Sequence, residues 1–173
     1  AMAGIGTYTK IEGFAFLPIT SFMMALTTFV SQNRGAREFD RARKGARFGL
    51  TCSVSLAEII GLLIALFAAP LMRLFANDPQ VIQYGVERAH YATILFFLLA
   101  YSHGVSAVLR GVGKSIIPMV VMLVCWCFVR VTLLTALNMM FHNIVFVYMI
   151  YPFTWSLSSV VFFLYYRKIN WQE

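Results

Sequence analysis

Long stretches without charge alternate along this chain with short polar segments. Five of the stretches reach the ~20 apolar residues that a helix needs to cross ~30 Å of hydrocarbon. The first runs from about Gly13 to Val30, with apolar sequence reaching back toward Ala3. The second, about Phe48 to Met72, contains one charge, Glu58. The third covers about His90 to Val108, the fourth about Ile116 to Leu137 around Arg130, and the fifth about Ile144 to Tyr166. With flanking turns the spans fall near 3–32, 48–73, 88–109, 115–138 and 144–166. The alternation of a transmembrane β-barrel, about ten residues per strand, does not occur, so the pattern predicts an all-α, polytopic transmembrane bundle. Asn77, Asp78 and Pro79 form a turn signal, followed by a short amphipathic stretch, Val81 to Arg88, leading into span three. Residues 1–173 read as one bundle with no second domain, no low-complexity linker and no internal repeat.

Composition agrees. Of 173 residues 60% are hydrophobic and 12% charged, against roughly 45–50% and about 25% in soluble domains. Such a chain folded in water would leave large apolar patches exposed, because a fold of this length buries only about 70% of its surface. Three cysteines suit neither the number nor the spacing of a disulfide scaffold.

The net charge of +7 would suggest a nucleic-acid partner if it covered one soluble face. Its distribution points elsewhere. Arg34, Arg37, Arg41, Arg43, Lys44 and Arg47 follow span one, Arg110 and Lys114 follow span three, and Arg167 and Lys168 follow span five. The opposite side has only Arg73 and Arg88, with none in the Asn138–Asn143 turn. The positive-inside rule makes the basic side cytoplasmic, so the charge marks topology. The expected location is the cell (plasma, or inner) membrane, multi-pass, with a cytoplasmic C-terminus. Tyr165, Tyr166 and Trp171 lie where span five should exit, and with Trp155 they include residues suited to a membrane interface. An odd number of spans ending inside requires an outside start. Ala1 to Gly4 shows no signal peptide to deliver one, so further sequence is expected before residue 1.

Several segments, taken in order, resemble the multidrug and toxic compound extrusion (MATE) family. They are SQNRGAREFDRARKG (Ser31 to Gly45), LFANDPQVIQYG (Leu74 to Gly85), VLRGVGKSIIPMV (Val108 to Val120), the intramembrane Arg130, and YPFTWSLSSVVFFLYYRKINW (Tyr151 to Trp171). Family members have twelve helices in two bundles of six, so the resemblance implies that this chain supplies the last five. The partners it then lacks are a seventh helix and an N-terminal bundle. It also implies multidrug antiport: a bulky, often cationic amphiphile leaves while Na⁺ or H⁺ enters, by alternating access. No covalent cofactor is expected; Na⁺ or H⁺ is the coupling ion, and the other partner is the lipid bilayer.

Three ionisable residues are candidates for substrate or ion binding. Glu58 is about eleven residues into span two, roughly 16 Å deep at 1.5 Å per residue. A carboxylate there must be protonated, paired or turned to a polar cavity, which leaves open an ion site or a structural ion pair or hydrogen bond, including a pair with Arg130. Arg130 stays charged and resembles an arginine frequent at this place in the family; it reads as a packing anchor or as an electrostatic gate. Glu12 falls at the outer interface or, if span one starts near Ala3, inside the membrane. Lys10, two residues away, points to another face. Gln32, Asn33 and Gly35 belong to the family-like signature; Gly can end a helix in a left-handed turn while amides satisfy free carbonyls. Pro18 and Gly13 in span one, Pro118 at the start of span four and Pro152 in span five are candidates for kinks or gating.

Other motifs carry less. GVGKS at Gly111 to Ser115 lacks the first glycine of a phosphate loop, Val108 standing there, and reads as a turn. Cys125 and Cys127 make no zinc site, and His90, His103 and His142 are scattered. The sixteen Phe and nine Met residues mostly face lipid or neighbouring helices, and those lining a cavity offer adaptable contacts. Two other classes stay open beside an exporter: a lipid-linked precursor flippase, which a large basic cavity would favour but which the scarcity of buried cations in this sequence disfavours, and a non-transporting scaffold or channel. An intramembrane enzyme is disfavoured by the lack of paired acids, a metal cluster or a Ser–His arrangement.

Overall fold

The computed structural model describes residues 2–140 and 144–171; His142 and Asn143, from the turn expected before span five, lie outside them. Among the described residues every element is helical. α1 (Met2–Gly35) is 34 residues long, about 51 Å at 1.5 Å per residue. The first span therefore takes in the whole stretch back to Ala3, and Lys10 and Glu12 belong to the rod. α2 (Phe39–Leu66) ends where Phe67 leaves helical geometry, and a short α3 (Ala68–Arg73) follows. The second apolar stretch, read as continuous to Met72, is thus two helices. Pro70 falls in the first turn of α3, where its missing N–H costs nothing.

The third span departs most from its sequence reading. Asp78 caps α4 (Pro79–Thr93), its side chain accepting from the Gln80 amide at 2.8 Å with Pro79 in the first turn. After the break at Ile94 and Leu95, α5 (Phe96–Gly111) continues at an angle of 56°. Together the two form one bent apolar pair, so the span begins near Pro79 rather than His90, and Val81 to Arg88 is its first half. Near the bend the Thr93 hydroxyl donates to the Ala89 carbonyl at 2.7 Å, a bond that tends to bend a helix.

The fourth span, Ile116–Leu137, comprises α6 (Ile116–Met122), a π-helical segment Leu123–Val129 and α7 (Arg130–Met140). Pro118 is in the first turn of α6, a position that needs no N–H and imposes no kink. α8 (Ile144–Arg167) is the fifth and carries Pro152 in its interior, as α1 carries Pro18. Four helical rods are long and apolar enough to cross a membrane, and the bent α4–α5 pair makes five.

α1 packs against α2, α4 and α5, and α5 against α2 and α8. Apolar side chains gain little by leaving lipid for one another, so close packing of small residues does much of the joining. At one end Leu26, Val30, Leu50, Val108, Leu109 and Phe162 form a core; at the other Tyr8, Ile11, Met72, Phe96, Leu99 and Trp155 do. α1 and α4 cross with backbones almost touching: a Cβ on Gly4 would lie 2.6 Å from the Val81 carbonyl oxygen and 3.2 Å from the Gly85 nitrogen. This crossing fixes which later residues of the two helices face each other.

Candidate functional site

Tyr8 and Glu12 are four residues apart on α1 and share a face. On α4, Gly85, Ala89 and Ala92 form a buried stripe of small residues, and Arg88 points from that same face. Because the helices cross at Gly4 and Gly85, these two faces meet. Arg88 is 3% exposed, and its Nη2 is 3.9 Å from Glu12 Oε2. That is an ion pair too long for a hydrogen bond. Arg88 Nε and Nη1, the Tyr8 hydroxyl and the Trp155 indole N–H are buried with no hydrogen-bond partner among the described residues.

A second arginine converges on the same place from span four. Arg130 follows directly on the π-helical segment, an insertion that rotates the side chains beyond it relative to an uninterrupted α-helix and recurs at functional sites. Its Nε and Nη2 donate to the Thr154 hydroxyl of α8 at 3.2 and 2.7 Å. Its guanidinium is 5.0 Å from the Trp126 ring centroid and 4.6 Å from that of Tyr151. Arg88 in turn stacks at 4.4 Å from Tyr151 and 5.4 Å from Tyr8. Tyr151 thus serves both guanidinium groups, whose attraction to an aromatic face strengthens away from water. Two cations and one carboxylate, contributed by α4, α7 and α1, meet inside the bundle against Tyr151 and Thr154 of α8.

A neutral polar seam adjoins this cluster. The Trp126 indole donates to Ser158 at 3.2 Å, Ser102 lies 3.0 and 2.8 Å from Ser158 and Ser159, and Ser159 donates to the Leu98 carbonyl at 3.0 Å. It joins α5, the π-helical segment and α8. His103 is wedged between Phe16 and Trp126, with centroids 4.9 and 5.0 Å away.

Glu58 is elsewhere. Its Oε2 accepts from the Phe97 amide at 3.1 Å, one of the free donors at the start of α5. It caps the helix that resumes after the bend, and the ion pair with Arg130 considered from the sequence does not form. Gln32 is exposed and Asn33 donates to the Phe29 carbonyl at 2.7 Å. Gly35 remains helical; the left-handed residue is Arg37, with φ 60°. The bonds from Glu38 N to Asn33 O (2.8 Å) and from Arg37 N to Arg34 O (2.9 Å) close the turn, a Schellman cap. The turn after α5 closes alike, with Gly113 left-handed at φ 82°, and Arg34 Nη1 donates to the Val112 carbonyl, tying the two turns together.

Sequence reasoning missed Arg88, Tyr8, Tyr151 and Thr154. From the sequence Arg88 reads only as one of two charges on the sparsely charged side, although its place on the small-residue stripe is the available signal. Trp155, grouped with interfacial aromatics, is buried against Phe96 at 6.1 Å between centroids. Among the described residues no three metal-ligating side chains cluster.

Comparison with known proteins places this architecture. The MatE family profile matches residues 1–135. A probable multidrug resistance protein NorM of Thermotoga maritima is 29% identical over 121 residues, 70% of this chain and 26% of that protein. A probable multidrug resistance protein YoeA of Bacillus subtilis is 25% identical over 175 residues, 100% of this chain and 37% of that protein. In fold, the chain matches the MATE transporter ClbM, solved in complex with Rb⁺, at a TM-score of 0.81 and 18% identity, over 94% of this chain and 39% of that one. The chain spans well under half the length of these relatives. The resemblance read from its motifs and the transmembrane helical bundle are both borne out: this chain belongs to the MatE family of membrane transporters.

Proposed function

We propose that the chain forms part of the C-terminal bundle of a secondary active exporter, which expels amphiphilic, often cationic small molecules in exchange for inward Na⁺ or H⁺. The observation that carries this reading is the pairing of Glu12 with Arg88 inside the membrane, beside Arg130. An intramembrane carboxylate held only by a long ion pair can exchange its cationic partner for a proton or Na⁺. Doing so loosens α1 from the bent α4–α5 span, and alternating access requires such movement between helices. The basic hairpins face the cytoplasm of the plasma membrane in this reading, and the C-terminus with them. Glu58 has a capping role rather than an ion-coupling one.

The test is transport by the full-length protein in proteoliposomes, with ethidium as probe and an imposed Na⁺ or pH gradient. Glu12→Gln is expected to abolish gradient-driven efflux at normal protein levels. Unchanged efflux would discard the coupling role.

A second reading, flipping of an anionic lipid-linked precursor, draws support from the excess of guanidinium over carboxylate and from the unpartnered Nε and Nη1 of Arg88. Dye efflux and lipid flipping measured in the same vesicles separate the two.

A further inference from the structure

At the end of the bundle that carries the basic hairpin, a cavity of about 470 Å³ opens between the start of α2 and the end of α8. Arg43 and Arg47, four residues apart, turn one face of α2 toward it, and Arg167 with Tyr166 and Trp171 closes it from α8 and the residues beyond. No carboxylate lines it among the described residues. We infer that this pocket binds the phosphate of an anionic phospholipid headgroup.

Three guanidinium groups around one cavity repel one another unless an anion joins them. Their planar donor forks match phosphate oxygens two at a time. The pocket's level in the membrane selects a lipid over a free anion. Tyr166 and Trp171 meet edge to face at 6.3 Å between centroids, and such aromatics favour the headgroup layer. One turn back along α8, Phe163 and Leu164 are exposed, and the Arg167 guanidinium lies 4.8 Å from the Phe163 ring. A charged pocket therefore continues directly into an apolar wall fit for acyl chains. Basic pockets at this level of helical membrane proteins recognise anionic headgroups. The site involves neither Glu12 nor Arg88 and does not depend on ion coupling.

The test uses the full-length protein in detergent, exchanged with phosphatidylglycerol or phosphatidylcholine, and counts retained lipid by native mass spectrometry. Phosphatidylglycerol is expected to be retained at least tenfold over phosphatidylcholine. Arg43→Gln/Arg47→Gln/Arg167→Gln should remove that preference, Arg167→Gln alone should reduce it at least threefold, and Arg41→Gln, outside the pocket, should leave it intact. Equal retention of the two lipids overturns the proposal, as does an undiminished preference in either pocket variant. Displacement of phosphatidylglycerol by sn-glycerol 1-phosphate at matched concentration also overturns it, because the site would then hold a free phosphate.

Discussion

Glu12 of α1 and Arg88 of α4 approach to 3.9 Å without a hydrogen bond between them. The pair therefore depends on Coulomb attraction in a medium of low dielectric constant, and it joins the long first helix to the bent third span. Taking one partner away strands the other: removing half of a buried ion pair costs about 3–5 kcal/mol. Glu12→Gln and Arg88→Met should each lower the detergent melting temperature and abolish gradient-driven efflux. In Glu12→Met/Arg88→Met both charges are gone, so the melting temperature should recover most of the way while efflux stays absent. A double variant that melts as low as the singles would show that the pair does not hold α1 to α4.

Glu58 should behave differently. Its carboxylate accepts one hydrogen bond from the Phe97 amide, and a glutamine oxygen can do the same. Glu58→Gln is expected to retain efflux and to melt within a degree or two of wild type. Glu58→Ala, which leaves that amide without its acceptor, should cost roughly 1 kcal/mol. Loss of efflux in Glu58→Gln would return this residue to the coupling machinery.

The contrast between the two acids shows how far residue order carries. Five charge-poor stretches were legible because hydrocarbon thickness sets a length that composition can meet or miss. Glu58 stood out because it is alone in such a stretch, yet depth says nothing about a partner, and its partner is a backbone amide 39 residues away. Arg88 was hidden for the opposite reason. It follows Glu87 at the end of a short amphipathic stretch that reads as the approach to span three, and the close crossing of Gly4 with Gly85 brings its face against α1. Neither the bend at Ile94 and Leu95 nor the π-helical segment contains a proline or glycine. The Thr93 bond to the Ala89 carbonyl lies beside the first break and the Trp126 bond to Ser158 ties the second to α8, and a periodicity registers neither.

Two glycines of α1 give a matched pair for that crossing. A Cβ at Gly4 would lie 2.6 Å from a backbone oxygen of α4, whereas at Gly6 nothing lies within 4 Å. Gly6→Ala should stabilise by about 0.5–1 kcal/mol through the helix preference for alanine. Gly4→Ala gains the same preference but forces α1 and α4 apart, for a net loss of about 1–3 kcal/mol. Moving the helices apart also lengthens the Glu12–Arg88 pair, so efflux should fall in Gly4→Ala alone. Melting temperatures that rise equally in both variants would contradict the close crossing.

The basic turns offer the reverse comparison, in which the glycine that looks structural is dispensable and an arginine occupies the glycine position. Gly35 is helical with open space around it, while Arg37 has φ 60°, a conformation that costs a side-chain-bearing residue about 1 kcal/mol or more. Gly35→Ala should therefore raise stability by about 0.5–1 kcal/mol, and Arg37→Gly should do so by about 1 kcal/mol. In the second turn Gly113 already holds the left-handed position at φ 82°, and Gly113→Ala should lose about 1 kcal/mol. Arg34 ties the two turns through its bond to the Val112 carbonyl, next to Gly113, so strain introduced there should reach the first hairpin. Protease nicking between Ala36 and Arg41 should accordingly quicken in Gly113→Ala and slow in Arg37→Gly when both are compared with wild type in the same detergent. Equal nicking rates in the three proteins would separate the two turns and leave the Arg34 bond without consequence.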